Sequence, residues 1–290
     1  MKRVLITGAN SYIGTSVEKW LSNIKDKYQV DTVDTINDAW ENADFSKYDT
    51  VFHVAGIAHV SSDPKLKDLY YKVNRDLTIE IADHAKKSGV EQFIFMSSII
   101  VYGNSGKIGE KRVITKDTVP EPADFYGDSK LQAEQGLEKL RDNTFKIVIL
   151  RPPMIYGANS KGNFPKLVKL AKKMPVFPNI ENERSMLYID NLCEFVRLVI
   201  DNEESGLYFP QNSEYVNTSK LVKAVATNFN RKMFLTRMFN PLILLFGNRT
   251  NVINKVFGNL VYEKSLSEYT VSYNVVTFEE SLTNIALKRI

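Results

Sequence analysis

Val4-Leu5-Ile6-Thr7-Gly8-Ala9-Asn10-Ser11-Tyr12-Ile13-Gly14 is the stretch from which the fold is read. Val4, Leu5 and Ile6 form the continuous apolar run of a strand buried on both faces, and Gly8 ends it. Beyond the glycine, Ile13, Val17, Trp20 and Leu21 recur at the spacing of one helix face. Strand, tight turn and helix N-terminus therefore follow in the order a dinucleotide fold needs. The first glycine makes the turn, the helix amides meet a pyrophosphate, and Gly14 allows close packing of helix on strand. Where a middle glycine is expected the chain has Ser11, which hinders the backbone's approach to phosphate. A second strand, over 28–33, ends in Asp34, 20 residues after Gly14, the distance at which a carboxylate reaches the adenosine ribose. Such a carboxylate accepts from a 2′-hydroxyl and repels a 2′-phosphate, which favours NAD without excluding NADP. Gly8, Asn10, Ser11, Tyr12, Ile13, Gly14 and Asp34 are the first expected cofactor contacts.

Working outward, residues 50–56 read as a strand running into small residues, 66–88 as a periodic helix, and 92–98 and 146–150 as two further strands. This alternation predicts an α/β fold, a Rossmann-type doubly wound parallel sheet with a smaller C-terminal α/β substrate-binding region. Ligands of such sheets lie at the strand C-terminal ends, where Asp34, Gly56, Ser98 and Arg151 fall, so Val54, Ala55 and Gly56 join the expected cofactor site. Between Asp34 and Thr50 a full crossover helix hardly fits. The adenine wall is expected to be thin there, with Asp44 and Phe45 nearest the base.

The chemistry is sought in Tyr126-Gly127-Asp128-Ser129-Lys130. A tyrosine and a lysine four apart on a helix sit one turn above each other, so an ammonium could draw on the phenol's proton. Bringing a phenol from about 10 to near 7 needs roughly 4 kcal/mol of preference for the phenolate, which a buried Lys130 and a cationic ring could supply. By itself the pattern equally describes a surface helix with a solvated lysine.

The ordered set Gly8…Gly14, His53-Val54-Ala55-Gly56, Asn74, Ser97-Ser98-Ile99-Ile100-Val101-Tyr102-Gly103, Tyr126…Lys130 and Leu150-Arg151-Pro152-Pro153-Met154-Ile155-Tyr156-Gly157 resembles the extended short-chain dehydrogenase/reductase family, in its nucleotide-sugar epimerase/dehydratase branch. The resemblance covers residues 1 to about 200. It implies that Tyr126 is the catalytic acid/base, that Lys130 holds the nicotinamide ribose and lowers the Tyr126 pKa, that Ser98 hydrogen-bonds the reacting hydroxyl, and that Pro153 borders the cofactor. Asn74 is similar to the family's structural asparagine, and Ser97 is expected only to pack. Dehydratases of the family carry an acidic pair after the catalytic Ser or Thr. Here those positions are Ile99 and Ile100, which can neither remove nor donate a proton, so 4,6-dehydration is not expected. Asn163, Phe164 and Arg184 fall where relatives contact a uridine diphosphate, and a bidentate arginine suits that task. A surface ion pair of Arg184 with Glu181 or Glu183 is the competing reading. Met154 and Ala58 depart from the family's usual asparagine and lysine, which loosens the substrate's identity.

Composition fits an enzyme of small molecules. The 290 residues are 43% hydrophobic and 25% charged with a net charge of +4, and basic runs are no longer than pairs such as Lys86-Lys87, so nucleic acid is not an expected partner. Cys193 stands alone in an apolar helical pattern and is expected in the core. His53, His59 and His84 lack the spacing of a metal set. The N-terminus runs straight into a strand, and Asn240 to Phe246 is too short to span a membrane, so a cytoplasmic protein is expected, with that segment a packed helix or a subunit contact of a homodimer. The expected division is 1–160 for cofactor and catalytic Ser/Tyr/Lys and 161–290, interleaved with it, for the nucleotide sugar. The expected activity is 4-epimerisation of a UDP-hexose or UDP-N-acetylhexosamine through transient C4 oxidation. A nucleotide-sugar 4-ketoreductase and a non-catalytic cofactor-sensing protein are the alternatives.

Overall fold

The computed structural model describes residues 1–36, 39–58, 63–247 and 251–287. In chain order it runs β1 (Lys2–Thr7), α1 (Tyr12–Ser22), β2 (Tyr28–Val33), β3 (Thr50–His53), α2 (Lys67–Tyr71), α3 (Leu77–Lys87), β4 (Gln92–Met96), β5 (Val113–Ile114), α4 (Phe125–Glu138), β6 (Lys146–Leu150) and β7 (Met154–Tyr156). There follow α5 (Asn163–Lys173), β8 (Val176–Pro178), β9 (Met186–Tyr188), α6 (Ile189–Asp201), β10 (Gly206–Tyr208), α7 (Thr218–Asn228), β11 (Phe234–Thr236), α8 (Asn240–Gly247), α9 (Asn251–Phe257), β12 (Val261–Tyr262) and α10 (Phe278–Leu287).

The first compact unit comprises Met1–Gly103, Val119–Pro152 and Ile189–Pro210. Its six strands pair in the order β10-β6-β4-β3-β1-β2, all parallel, as expected of a doubly wound sheet. β4 and β6 carry continuous apolar runs and all four residues of β3 are buried because helices cover both faces, and Val51, Phe93, Phe95 and Ile147 bury completely. Each such phenylalanine contributes about 2–3 kcal/mol of transfer free energy. Between β2 and β3 stand two short 3₁₀ turns, Ala39–Asn42 and Phe45–Lys47, in place of a crossover helix. The expected thin connection is what forms.

Two boundaries differ from expectation. The helix read over 66–88 is interrupted by a π-turn at Lys72–Asp76, where the Asn74 side chain leaves the helix surface to serve neighbouring backbone. Residues 189–210, assigned from sequence to the second region, belong to the first unit because β10 extends the sheet beside β6. The other unit comprises Asn104–Thr118, Pro153–Tyr188 and Gln211–Ile290 and is built on small two-stranded pairings, β7 with β9, β8 with β11 and β5 with β12. Cys193 is buried in α6, as its apolar surroundings imply.

Candidate active site

α4 starts at Phe125 because Asp124, in extended conformation, accepts a hydrogen bond from Gly127 N at 3.0 Å. Tyr126 is thereby placed in the first turn and Lys130 one turn later. Opposite lies the 3₁₀ turn Ile99–Tyr102, capped by Ser98, whose Oγ accepts from Ile100 N at 3.3 Å. Gly127 brings the two together, since a Cβ there would lie 2.7 Å from the Ile100 carbonyl oxygen. Ser98 lies close enough to act on the Tyr126 phenol, and Tyr70 packs its ring against Tyr126 at 5.8 Å, edge to face.

Electrostatics at the phenol run opposite to the expected lowering. Burial pushes the Tyr126 pKa up to about 12, with Tyr70 and Asp124 adding to the rise, and the Ser98 hydrogen bond is the opposing contribution. Lys130 is not among the groups acting on that phenol. Its side chain, 5% exposed, donates to the Met96 carbonyl at 2.9 Å and lies 4.6 Å from the centre of the Phe95 ring. Burial lowers the Lys130 pKa to about 8, with Glu134 pulling the other way. A Cβ on Gly56 would reach within 3.2 Å of the Lys130 ammonium and 3.0 Å of Asn74 Oδ1, so a larger residue would push both aside by a few tenths of an ångström. Asn74 receives Ile57 N at 2.8 Å and donates to Ile57 O at 3.1 Å and Ser129 Oγ at 3.2 Å, pinning the loop after β3 to α4.

The glycine turn forms a narrow cradle. Gly8 has φ +107°, and a Cβ on it would stand 2.7 Å from Ala55 N; one on Gly14 would stand 3.1 Å from Val54 Cγ2. Val54 N and Ala55 N both donate to Thr7 O, at 3.0 and 3.1 Å, tying β3 to the turn. Ser11 does more than replace a glycine: its Oγ caps α1 by accepting from Gly14 N at 3.1 Å. Tyr12 and Ile13 follow in the first helical turn, and Asn10 is exposed in left-handed conformation at φ 61°. A pyrophosphate fits this combination of close backbone and helix N-terminus. Asp34, after β2, binds Ile36 N at 2.9 Å through Oδ1, while its Oδ2 has no protein partner among the described residues and is available to a ribose hydroxyl. Farther on, Asp44 caps the turn Phe45–Lys47 and pairs with Lys47 at 3.3 Å. The Phe45 ring is spent in the core, edge-on to His84 at 4.7 Å, because the short connection is anchored there by Phe45 together with Trp40. The Asp44 side chain, by contrast, stays exposed at that turn.

Sequence reading missed a buried network under the site. Arg151, expected at the ligand edge, forms a two-toothed ion pair with Glu134 and donates to Tyr102 Oη at 2.6 Å, and Ser97 donates to the same carboxylate. Ser97 therefore does more than pack. The available signal was Glu134, a carboxylate on the inward face of α4, four residues beyond Lys130.

In the second unit Asn163 opens α5, whose preceding residue Gly162, at φ 89°, provides no side-chain cap. The Phe164 side chain is buried against Tyr156 at 5.3 Å, so its ring cannot touch a ligand. Arg184 makes no ion pair with Glu181 or Glu183. Its Nη1 donates to Lys255 O at 2.9 Å, Gly258 O at 3.2 Å and Ser105 Oγ at 3.3 Å, and burial without a carboxylate lowers its pKa to about 10. Pro153 is buried at the start of this unit. Among the described residues no His/Cys/Asp/Glu group could hold a metal, and His59 lies outside them. No helix among them is long and apolar enough to cross a membrane.

Residues 4–209 match the family described as NAD dependent epimerase/dehydratase. Over 94% of this chain and 90% of its own length, a UDP-glucose 4-epimerase of Vibrio cholerae is 28% identical. An N-acetyl-alpha-D-glucosaminyl-diphospho-ditrans,octacis-undecaprenol 4-epimerase of Escherichia coli O157:H7 is 29% identical over 88% of this chain and 81% of its own. A solved UDP-N-acetylglucosamine 4-epimerase of Bacillus cereus superposes with a TM-score of 0.78 over 99% of both chains at 17% identity, a likeness of fold alone.

Proposed function

The chain belongs to the NAD-dependent epimerase/dehydratase family, and on that premise we propose that it is a 4-epimerase of a diphosphate-activated hexose, with UDP-hexose or UDP-N-acetylhexosamine as substrate. The observation that carries this reading is that the first turn of α4, with Tyr126, packs through Gly127 on the turn that Ser98 opens, with Lys130 buried one helical turn on and the aliphatic Ile99 and Ile100 where a dehydratase needs acids. NAD, held by Gly8, Ser11 to Gly14, Val54, Ala55 and Asp34, supplies hydride acceptance and a positive charge when bound.

Within that frame Ser98 orients the C4 hydroxyl and Tyr126 takes its proton, later returning it. A phenol resting at about 12 makes a poor base, so its work requires cationic help, for which Lys130 stands at the same strand end. Arg184, desolvated without a carboxylate, and the uncapped start of α5 at Asn163 suit the diphosphate. That chemistry is common to the sugar diphosphates named for both relatives, one nucleotide-linked and one undecaprenol-linked.

A 4-ketoreductase is the second reading, favoured by the thin connection between β2 and β3, which would let a cofactor exchange. The test is to denature freshly purified protein, quantify released nucleotide, and follow C4 configuration of UDP-hexoses and UDP-N-acetylhexosamines with no cofactor added. Released NAD together with C4 inversion is the expected result. Empty protein that consumes NADH or NADPH in proportion to a 4-keto sugar, and never inverts C4, transfers the assignment to the reductase.

A further inference from the structure

α8 breaks the rule that a short apolar helix hides in a core. Leu242, Leu244 and Leu245 are 57%, 48% and 66% exposed, and just before them Met238 is 73%, Phe239 39% and, on β11, Phe234 67% exposed. The segment is held firmly despite this exposure. β11 pairs with β8, and Asn240 Nδ2 donates to Asn179 O at 2.8 Å at the start of the helix. An apolar surface presented this way on an anchored element calls for an occupant.

Charge identifies its chemistry. From Tyr215 to Tyr262, 48 residues, the chain has seven Lys and Arg and no Asp or Glu, against +4 for the whole molecule, so the rest is net acidic. Arg231, Lys232 and Arg237, immediately before α8, and Lys255 in α9 are exposed, and among the described residues none forms an ion pair. A second copy is a poor match, because a two-fold interface sets this patch against itself and brings like charges together. α8 itself carries no charge, so the leucines would enter the acyl region while the cations of the loop before it and of α9 reach the headgroups, the division of labour of an interfacial anchor. We propose that α8 and the loop before it dock the protein on an anionic membrane surface, independently of which sugar it converts.

The full-length protein would be sedimented with vesicles of phosphatidylglycerol and phosphatidylcholine in equal parts, and with vesicles of phosphatidylcholine alone. Binding is expected to the anionic vesicles, at least about tenfold weaker on neutral ones and weakened again by 0.5 M salt, about the screening a Debye length near 4 Å gives. Leu242→Ser with Leu245→Ser should reduce partition at least about tenfold, since both side chains are more than half exposed and the fold loses little buried contact. Arg231→Gln with Lys232→Gln and Arg237→Gln, a separate variant of exposed residues, should bring binding to the anionic vesicles down to the neutral level. No binding to either vesicle, or equal binding to both, overturns the proposal. So does a lipid-free dimer in light scattering that the leucine variant splits, which gives the face to a second copy, or tight binding to a DNA duplex that the leucine variant leaves intact.

Discussion

Tyr126 faces two opposed demands: it must sit out of water to meet a sugar hydroxyl, and it must lose a proton near neutrality. Burial wins in the protein alone, at about 12, with Ser98 as the one lowering partner. If the proposed role holds, Tyr126→Phe keeps the ring packed on Tyr70 and cofactor bound, and turnover falls by about 10²-fold or more. Near-normal turnover in a folded Tyr126→Phe protein would remove Tyr126 from the chemistry. At the other end of the cofactor site, Asp34 has one oxygen in a turn and one available, so the unmodified protein should bind NAD(H) more tightly than NADP(H), and Asp34→Ser should narrow the gap. Titration calorimetry with both cofactors checks this, and equal affinities in the unmodified protein would place the 2′ position elsewhere. The places of Tyr126 and Lys130 on one helix and of Asp34 after β2 were legible from spacing, and that of Ser98 from the resemblance, while their roles are the proposal. Ser11's capping role, the Phe45 ring's turn into the core and the Arg151 ion pair were not. The last two depend on a partner distant in sequence, His84 and Glu134, whereas the Ser11 cap on Gly14 N is local and was hidden because Ser11 was read only as a missing glycine.

At the scale of elements, the site exists because α4 can approach the turn after β4. Gly127 is the contact point, and Gly127→Ala would drive a Cβ to 2.7 Å from the Ile100 carbonyl, which must be relieved by moving helix or turn. We expect about 1–3 kcal/mol of lost stability and a kcat reduced about tenfold at little change in KM, since the hydroxyls of Ser98 and Tyr126 separate while binding groups stay. Equal kcat for the variant would mean that the approach is not what aligns them. Glu134 holds the same helix from beneath. Removing it by Glu134→Ala leaves Arg151 buried without its carboxylate and should cost about 3–5 kcal/mol, measured by urea unfolding, whereas a cost near zero would mean that solvent already screens the pair. The parallel sheet around these elements was legible from apolar runs ending in small or polar residues. The π-turn at Lys72–Asp76 was not, because the apolar spacing stays helical while Asn74's side chain bonds the Ile57 backbone.

For the molecule as a whole, the burial that builds the site also shapes stability against pH. His53, wholly buried between Thr7 and Thr78, has its pKa lowered to about 3, so the unfolded chain binds more protons between there and about 6.5 and stability falls as pH drops through that range. Glu203, held to about 2 by Lys2 and Lys146, acts in the same direction below about 4.5. Lys130 acts on the alkaline side in the opposite sense, and the buried Cys193 thiol, pushed well above its usual value, works against it there. The folded Lys130 pKa of about 8 lies below the usual 10.5, so the cost of burying the ammonium is fully present below 8 and is relieved as pH rises, the unfolded chain binding the extra proton. Tyr126, raised to about 12, then turns the curve down above about 10, where the unfolded phenol ionises first. Nucleotide-free protein should therefore gain stability from pH 7 to about 9, with a slope of up to about 1.4 kcal/mol per pH unit, and the gain should flatten above that as the unfolded Cys193 thiol ionises. Lys130→Met should be inactive yet more stable than the parent at pH 7, by about 1–2 kcal/mol once the lost hydrogen bond to Met96 is set against the relieved charge, and the advantage should vanish by about pH 10. Urea midpoints at pH 7, 8.5 and 9.5 for both proteins decide it. A parent whose stability is flat over that range, or a Lys130→Met protein that is weaker at pH 7, would mean that Lys130 pairs with an anion strongly enough to offset its burial, and its place beside the cofactor would need another cause.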